Sequence, residues 1–241
     1  MTRLASAIHS GMVIVLAVSA VVGAAATRPL FEKWHKNWRA SAPTSAPPAA
    51  SVITHETFLL LGLDDFLNPQ PQVEAVWLAI VPSDGSAVEL VGLDPKPFAG
   101  QYSPALKSLP LMMLQPYLRG TLSGTAILDR AGLIELAERL GGGYLMGRTT
   151  NGAGLLDYID SADPNRPDDL LVRQAAVVQS LLAQGAIVGV NFDLPALAQT
   201  PSHCSINEER IMELIMRYYP LKAEFVRVRL ASNMTASNAA P

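Results

Sequence analysis

Phe58-Leu59-Leu60-Leu61-Gly62-Leu63-Asp64-Asp65 is the stretch on which the reading of this chain turns. An apolar run this short, opened by Thr57 and closed by two adjacent carboxylates, predicts a buried strand over 57–63 whose C-terminal end delivers acidic side chains. Downstream, Glu74 to Val81 and Ala87 to Leu93 flank Pro82-Ser83-Asp84-Gly85-Ser86, and the Asp-Gly pair predicts a hairpin. Pro110 and Pro116 limit the helical character of 104–117 to short pieces. Thr125 to Leu128 is strand-like. Asp129 is placed to cap a helix striped with Leu133, Leu136, Ala137 and Leu140, and Gly141-Gly142-Gly143 stops it.

Farther along, Asp168 and Asp169 open a long helix to about Gln184, where acidic residues suit the positive end of the dipole. Ser205 and Glu208 form a capping box for a helix to Tyr218. Ala223 to Leu230 alternates Arg227 and Arg229 with Val226, Val228 and Leu230, as a late strand with one basic-rich face would. The alternation of strands and helices places one α/β domain at 55–231, followed by a tail at 232–241.

Composition agrees with one domain plus appendages: 241 residues, 49% of them hydrophobic, can bury a sizeable core. A net charge of −3, with basic residues clustered only near the N-terminus, gives no electrostatic footprint for nucleic acid. The lone Cys204 cannot form an internal disulfide. Leu4 to Thr27 carries no charged side chain, and these 24 residues reach about 36 Å as a helix, enough to cross a hydrocarbon core of about 30 Å. Residues 1–27 are therefore expected to be a transmembrane anchor. A cleavable signal peptide is the alternative, with Met12 to Val22 as its apolar region and Ala24-Ala25-Ala26 as cleavage site.

Residues 28–54 read as a juxtamembrane segment and linker. Phe31, Trp34 and Trp38 among Lys33, Lys36 and Arg39 suit the lipid–water interface, and the Pro/Ala/Ser stretch 40–50 suits a spacer. The cations after the anchor outnumber Arg3 before it, which by the positive-inside tendency would put the domain in the cytoplasm.

Common catalytic motifs are missing. No Gly-x-x-x-x-Gly-Lys-Ser/Thr loop occurs, and Gly120-Thr121-Leu122-Ser123-Gly124 has its serine one place late for a nucleophile elbow. His9, His35, His55 and His203 lack metal-ligand spacing, and His203-Cys204 is an adjacent pair beside a loop.

Taken in order, Phe58 to Asp65, the Glu74 strand with its hairpin, Asp94-Pro95-Lys96, Thr121 to Gly143, Gly154-Leu155-Leu156-Asp157-Tyr158 and Arg173-Gln174 resemble the LytR-CpsA-Psr (LCP) family over about Thr57 to Gln184. The resemblance implies a three-layer α/β/α domain with a central mixed sheet, preceded by one transmembrane helix and lying on the extracytoplasmic side of the cytoplasmic membrane. It implies a greasy pocket for a polyprenyl chain, a polar mouth for its pyrophosphate and, if the protein is active, Mg²⁺-dependent transfer of a polyprenyl-pyrophosphate-linked glycopolymer to the cell wall. By that resemblance Asp64 and Glu74 would hold the metal, Asp65 and Gln174 the ligand, and Arg173 and Lys96 would serve the transfer.

The pattern is incomplete. Pro95-Lys96-Pro97 stands where the family has Pro-Arg-Asp, Leu170 stands for an arginine, and Asp160 and Ala162 replace an Arg-x-Arg pair. A planar two-pronged donor becomes a point charge at Lys96. The expectation is an LCP-like binder of a polyprenyl-linked or similar apolar ligand, degenerate in catalysis. An active phosphotransferase and a non-catalytic envelope scaffold are the alternatives, and oligomeric state stays open.

Overall fold

Strand β1 (His55–Leu63) is buried on both faces because its side chains alternate between two cores. Phe58 and Leu60 join one hydrophobic cluster; Leu59, Leu61 and Leu63 join the other. The structure is a computed structural model that describes residues 54–166, 168–188, 202–204 and 226–231. The hairpin follows as expected: β2 (Val73–Pro82) runs antiparallel to β1, and β3 (Val88–Leu93) antiparallel to β2. Its turn is closed by Asp84, whose Oδ1 accepts the Ser86 amide at 2.9 Å.

Residues 94–118 cross the second face in short pieces, among them α1 (Leu111–Leu114) and 3-10 turns at Lys96–Phe98 and Gln115–Tyr117. Phe98, Leu109 and Leu114 seal that face. The chain returns as β4 (Thr121–Asp129), parallel to β1, and enters α2 (Arg130–Arg139) through the expected cap, Asp129 Oδ1 accepting the Gly132 amide at 2.7 Å. β4 starts four residues before the expected Thr125, for the apolar pattern marks only its buried half. Thr121 to Gly124 pair with β1 through backbone while staying partly exposed. Gly141 and Gly142, at φ +79° and +90°, end α2 in the left-handed region that favours glycine.

β5 (Gly143–Leu145) and β6 (Arg148–Thr150) form a small hairpin before α3 (Gly152–Asp160). The sequence gives α3 no separate helical signal because glycines occupy its first turn. Gly152 is needed there: a Cβ would lie 2.6 Å from the carbonyl oxygen of Ile134, so its absence lets α3 close on α2. The long helix α4 (Asp169–Val188) begins where expected. Two strands complete the sheet. β7 (Ser202–Cys204) pairs antiparallel with β4, so the His203-Cys204 pair lies in a short strand; β8 (Val226–Leu230) pairs parallel with β3.

The sheet order is β7-β4-β1-β2-β3-β8, a mixed sheet with α2, α3 and α4 against one face. Among the described residues the other face carries single-turn helices only. Arg229 and Arg119 both pair with Glu89, at 3.4 and 3.2 Å, so the basic face of β8 has a partner on β3. The expected anchor, linker, Ser205–Tyr218 helix and tail lie outside the described residues. Among those described, no helix is long and apolar enough to cross a membrane.

Candidate functional site

Where the sheet meets the helices, a cavity of about 170 Å³ remains. The strands leave that space because their side chains facing it include Gly62, Ala75 and Ala126, and Gly62 and Ala75 sit opposite each other in register. Leu60 and Trp77 flank these small residues, and Leu133, Leu156, Val178 and Leu181 form the helical wall. Nearly the whole lining is apolar.

At one end it meets a wider cleft of about 460 Å³, lined by charged as well as apolar residues. Glu74, Arg130, Ile159 and Gln174 belong to both spaces and so mark the mouth. The cleft is built at the ends of elements: Glu74 near the start of β2, Lys96 just after β3, Arg130 at the first position of α2, Asp160 at the last of α3 and Gln174 in α4. Its lining carries four carboxylates, Glu74, Asp94, Asp160 and Asp163, against three cations, Lys96, Arg130 and Arg166.

Arg130 organises the mouth. Its Nε donates to Glu74 Oε2 at 2.7 Å, while Nη1 and Nη2 donate to the two oxygens of Asp160 at 2.8 and 2.6 Å. The hydrogen bonds that Arg130 donates to Asp160, and then to Glu74, raise the guanidinium above its ordinary pKa; the bonds to Asp160 hold that carboxyl below the usual carboxylate range. Gln174 sits beneath this network, its Nε2 donating to the Glu74 carbonyl at 2.7 Å. The buried Oε1 of the same side chain has no hydrogen-bond partner among the described residues.

Three of the residues singled out from sequence, Glu74, Lys96 and Gln174, therefore share the cleft. The other three line neither space. Asp64 accepts the Gln72 amide at 2.7 Å and Asp65 the Leu67 amide at 2.8 Å, so both shape the loop after β1. Arg173 binds Asp169 at 2.9 Å, the Tyr158 carbonyl at 3.0 Å and Ser161 Oγ at 2.8 Å, and stacks 4.8 Å over the Tyr158 ring. It fastens α3 to α4.

A magnesium ion held by the protein would need oxygen ligands in near-octahedral array. One or two carboxylates completed by water would suffice, but the two at the mouth, Glu74 and Asp160, are both engaged by Arg130, and among the described residues no larger group of metal-binding side chains occurs. The donor set does not fit the ion. Sequence reasoning missed Arg130 and Arg166. The one signal for Arg130 is its place directly after the Asp129 cap, where a parallel strand hands over to its helix.

No protein-family model and no curated protein sequence matches the chain. Solved structures do. It is similar to protein gbs0355 of Streptococcus agalactiae, with a TM-score of 0.56 and 15% identity over 73% of this chain and 77% of that one. It is similar to TagV of B. subtilis, with a TM-score of 0.55 and 11% identity over 75% and 85%, and to Lin1025 of Listeria innocua, with a TM-score of 0.53 and 15% identity over 73% and 82%. Likeness at such identities establishes the fold, and that fold is the LytR-CpsA-Psr fold expected from the sequence.

Proposed function

We propose, from the LytR-CpsA-Psr fold as premise, that this chain is a cell-envelope protein concerned with wall glycopolymers. In this reading the domain binds a polyprenyl-linked or similarly long apolar ligand, with the hydrocarbon in the cavity and the (pyro)phosphate end at the cleft. The observation that carries the reading is the apolar cavity opening into a charged cleft through the shared residues Glu74, Arg130, Ile159 and Gln174. At about 0.8 kcal/mol per buried CH₂, a segment of about five methylenes would contribute about 4 kcal/mol before the cost of ordering the ligand. Lys96 and Arg166 are the cations suited to meet the ligand's phosphoryl oxygens. The anchor read at 1–27 would hold the domain outside the cytoplasmic membrane, within reach of such lipids.

Binding without transfer is the reading favoured over catalysis. Asp160 and Ala162 stand where the resemblance asks for arginines, Arg173 is committed to joining two helices, and carboxylates outnumber cations in the cleft. Stabilising the charge that spreads over a transferring phosphoryl group calls for the opposite balance.

The test is mass spectrometry of lipid extracted from the full chain, purified from a membrane-containing host. A co-purifying polyprenyl phosphate or pyrophosphate that disappears in Val178→Trp, which fills the cavity from α4, is the expected result. Wild-type protein free of any long-chain lipid would overturn the binding reading in favour of an envelope scaffold. Release of polyprenyl phosphate on incubation with a glycan acceptor would restore the phosphotransferase.

A further inference from the structure

A guanidinium and a divalent cation solve the same problem, which is to draw two carboxylates from separate elements to one point. At the mouth that point is Arg130, between Glu74 on β2 and Asp160 at the end of α3, with all three bonds at 2.6 to 2.8 Å. The pair to Asp160 is bidentate, the geometry a planar fork forms and an ammonium cannot. Without the guanidinium, two carboxylates would face a partly enclosed mouth with no positive charge between them. One or two carboxylates completed by water are what magnesium ordinarily accepts from a protein.

We propose that Arg130 is the resident cation of this cleft, standing between Glu74 and Asp160 where a divalent ion would otherwise be needed, so that the cleft works without a protein-held metal. The side chain is 36% exposed, leaving its uncommitted N–H groups able to reach an oxygen of a ligand's head group. Gln174, which lines the same mouth, carries a buried Oε1 with no hydrogen-bond partner among the described residues. This inference rests on the mouth geometry alone and stands or falls separately from lipid binding.

The experiment titrates the full chain in detergent with Mn²⁺, followed by electron paramagnetic resonance, and with Mg²⁺, followed by thermal unfolding. Wild-type protein is expected to bind no Mn²⁺ that Glu74→Gln removes, and to unfold at the same temperature with EDTA or with Mg²⁺. Arg130→Met is expected to gain Mn²⁺ binding and a rise of a few degrees in unfolding temperature with Mg²⁺, both lost again on adding Glu74→Gln. Wild-type Mn²⁺ binding that Glu74→Gln abolishes would overturn the proposal. So would a folded Arg130→Met that ignores both ions. If Arg130→Met fails to fold, the wild-type and Glu74→Gln titrations still decide.

Discussion

The two faces of the central sheet are made by the same strands, yet one is solid and the other hollow. Toward the short helices, β1 to β3 present Leu59, Leu61, Leu63, Val76, Leu78, Ile80, Val91 and Leu93, none more than 2% exposed. Toward α2 to α4 the alternate positions include Gly62, Ala75, Ala79 and Ala126, and the cavity lies there. Branched side chains interdigitate to native density, whereas hydrogen and methyl groups cannot fill the gap to a helix layer about 10 Å away. A strand can therefore carry structure on one set of positions and a ligand site on the other.

The sharpest way to break the contrast is to truncate each face. Leu78→Ala on the solid side is expected to cost about 3 kcal/mol in denaturant unfolding, against about 1 kcal/mol for Leu133→Ala, whose side chain already borders open space. Equal losses would mean that the hollow face is packed as tightly as the other. Enlargement should give the mirror result: Val76→Phe destabilises by about 2 kcal/mol, while Val178→Phe changes stability by less than about 0.5 kcal/mol and displaces lipid from the cavity.

Smaller effects separate joints from binding groups. Arg173→Ala should lose about 1 kcal/mol of stability and retain lipid, because the side chain fastens α3 to α4. Lys96→Ala should leave the unfolding midpoint nearly unchanged and weaken retention of a phosphorylated lipid severalfold, read by native mass spectrometry.

The smallest effect is acid-linked. Arg130 depresses the Asp160 carboxyl, so its contribution to stability is complete above the ordinary carboxylate pKa and disappears as pH falls through the depressed folded value. Asp160→Asn should flatten that part of the acid-unfolding curve only slightly, since the pair is partly exposed to solvent.

Much of the frame was legible in sequence because its signals are local: the apolar run of β1, the Asp-Gly turn, the Asp129 cap and the glycines after α2. α3 was hidden by glycines chosen for close helix packing, and β7 by its three-residue length. The site was half legible. Glu74, Lys96 and Gln174 reach the cleft, but Asp64, Asp65 and Arg173 satisfy neighbours in their own loop or adjoining helix, a local role no motif distinguishes from a ligand role. Arg130 escaped because its partners come from elements far apart in the chain, and a bond of that kind leaves no spacing to read.

One register pair has a consequence for ligand length. A Cβ on Gly62 would stand 2.9 Å from that of Ala75, so the floor of the cavity cannot rise on β1 unless β2 gives way. On the proposed reading, the jaw at Gly62 is fixed, and a version of this protein suited to a shorter or bulkier chain would be retuned at other lining positions, such as Leu133, Val178 or Leu181 on the helical side.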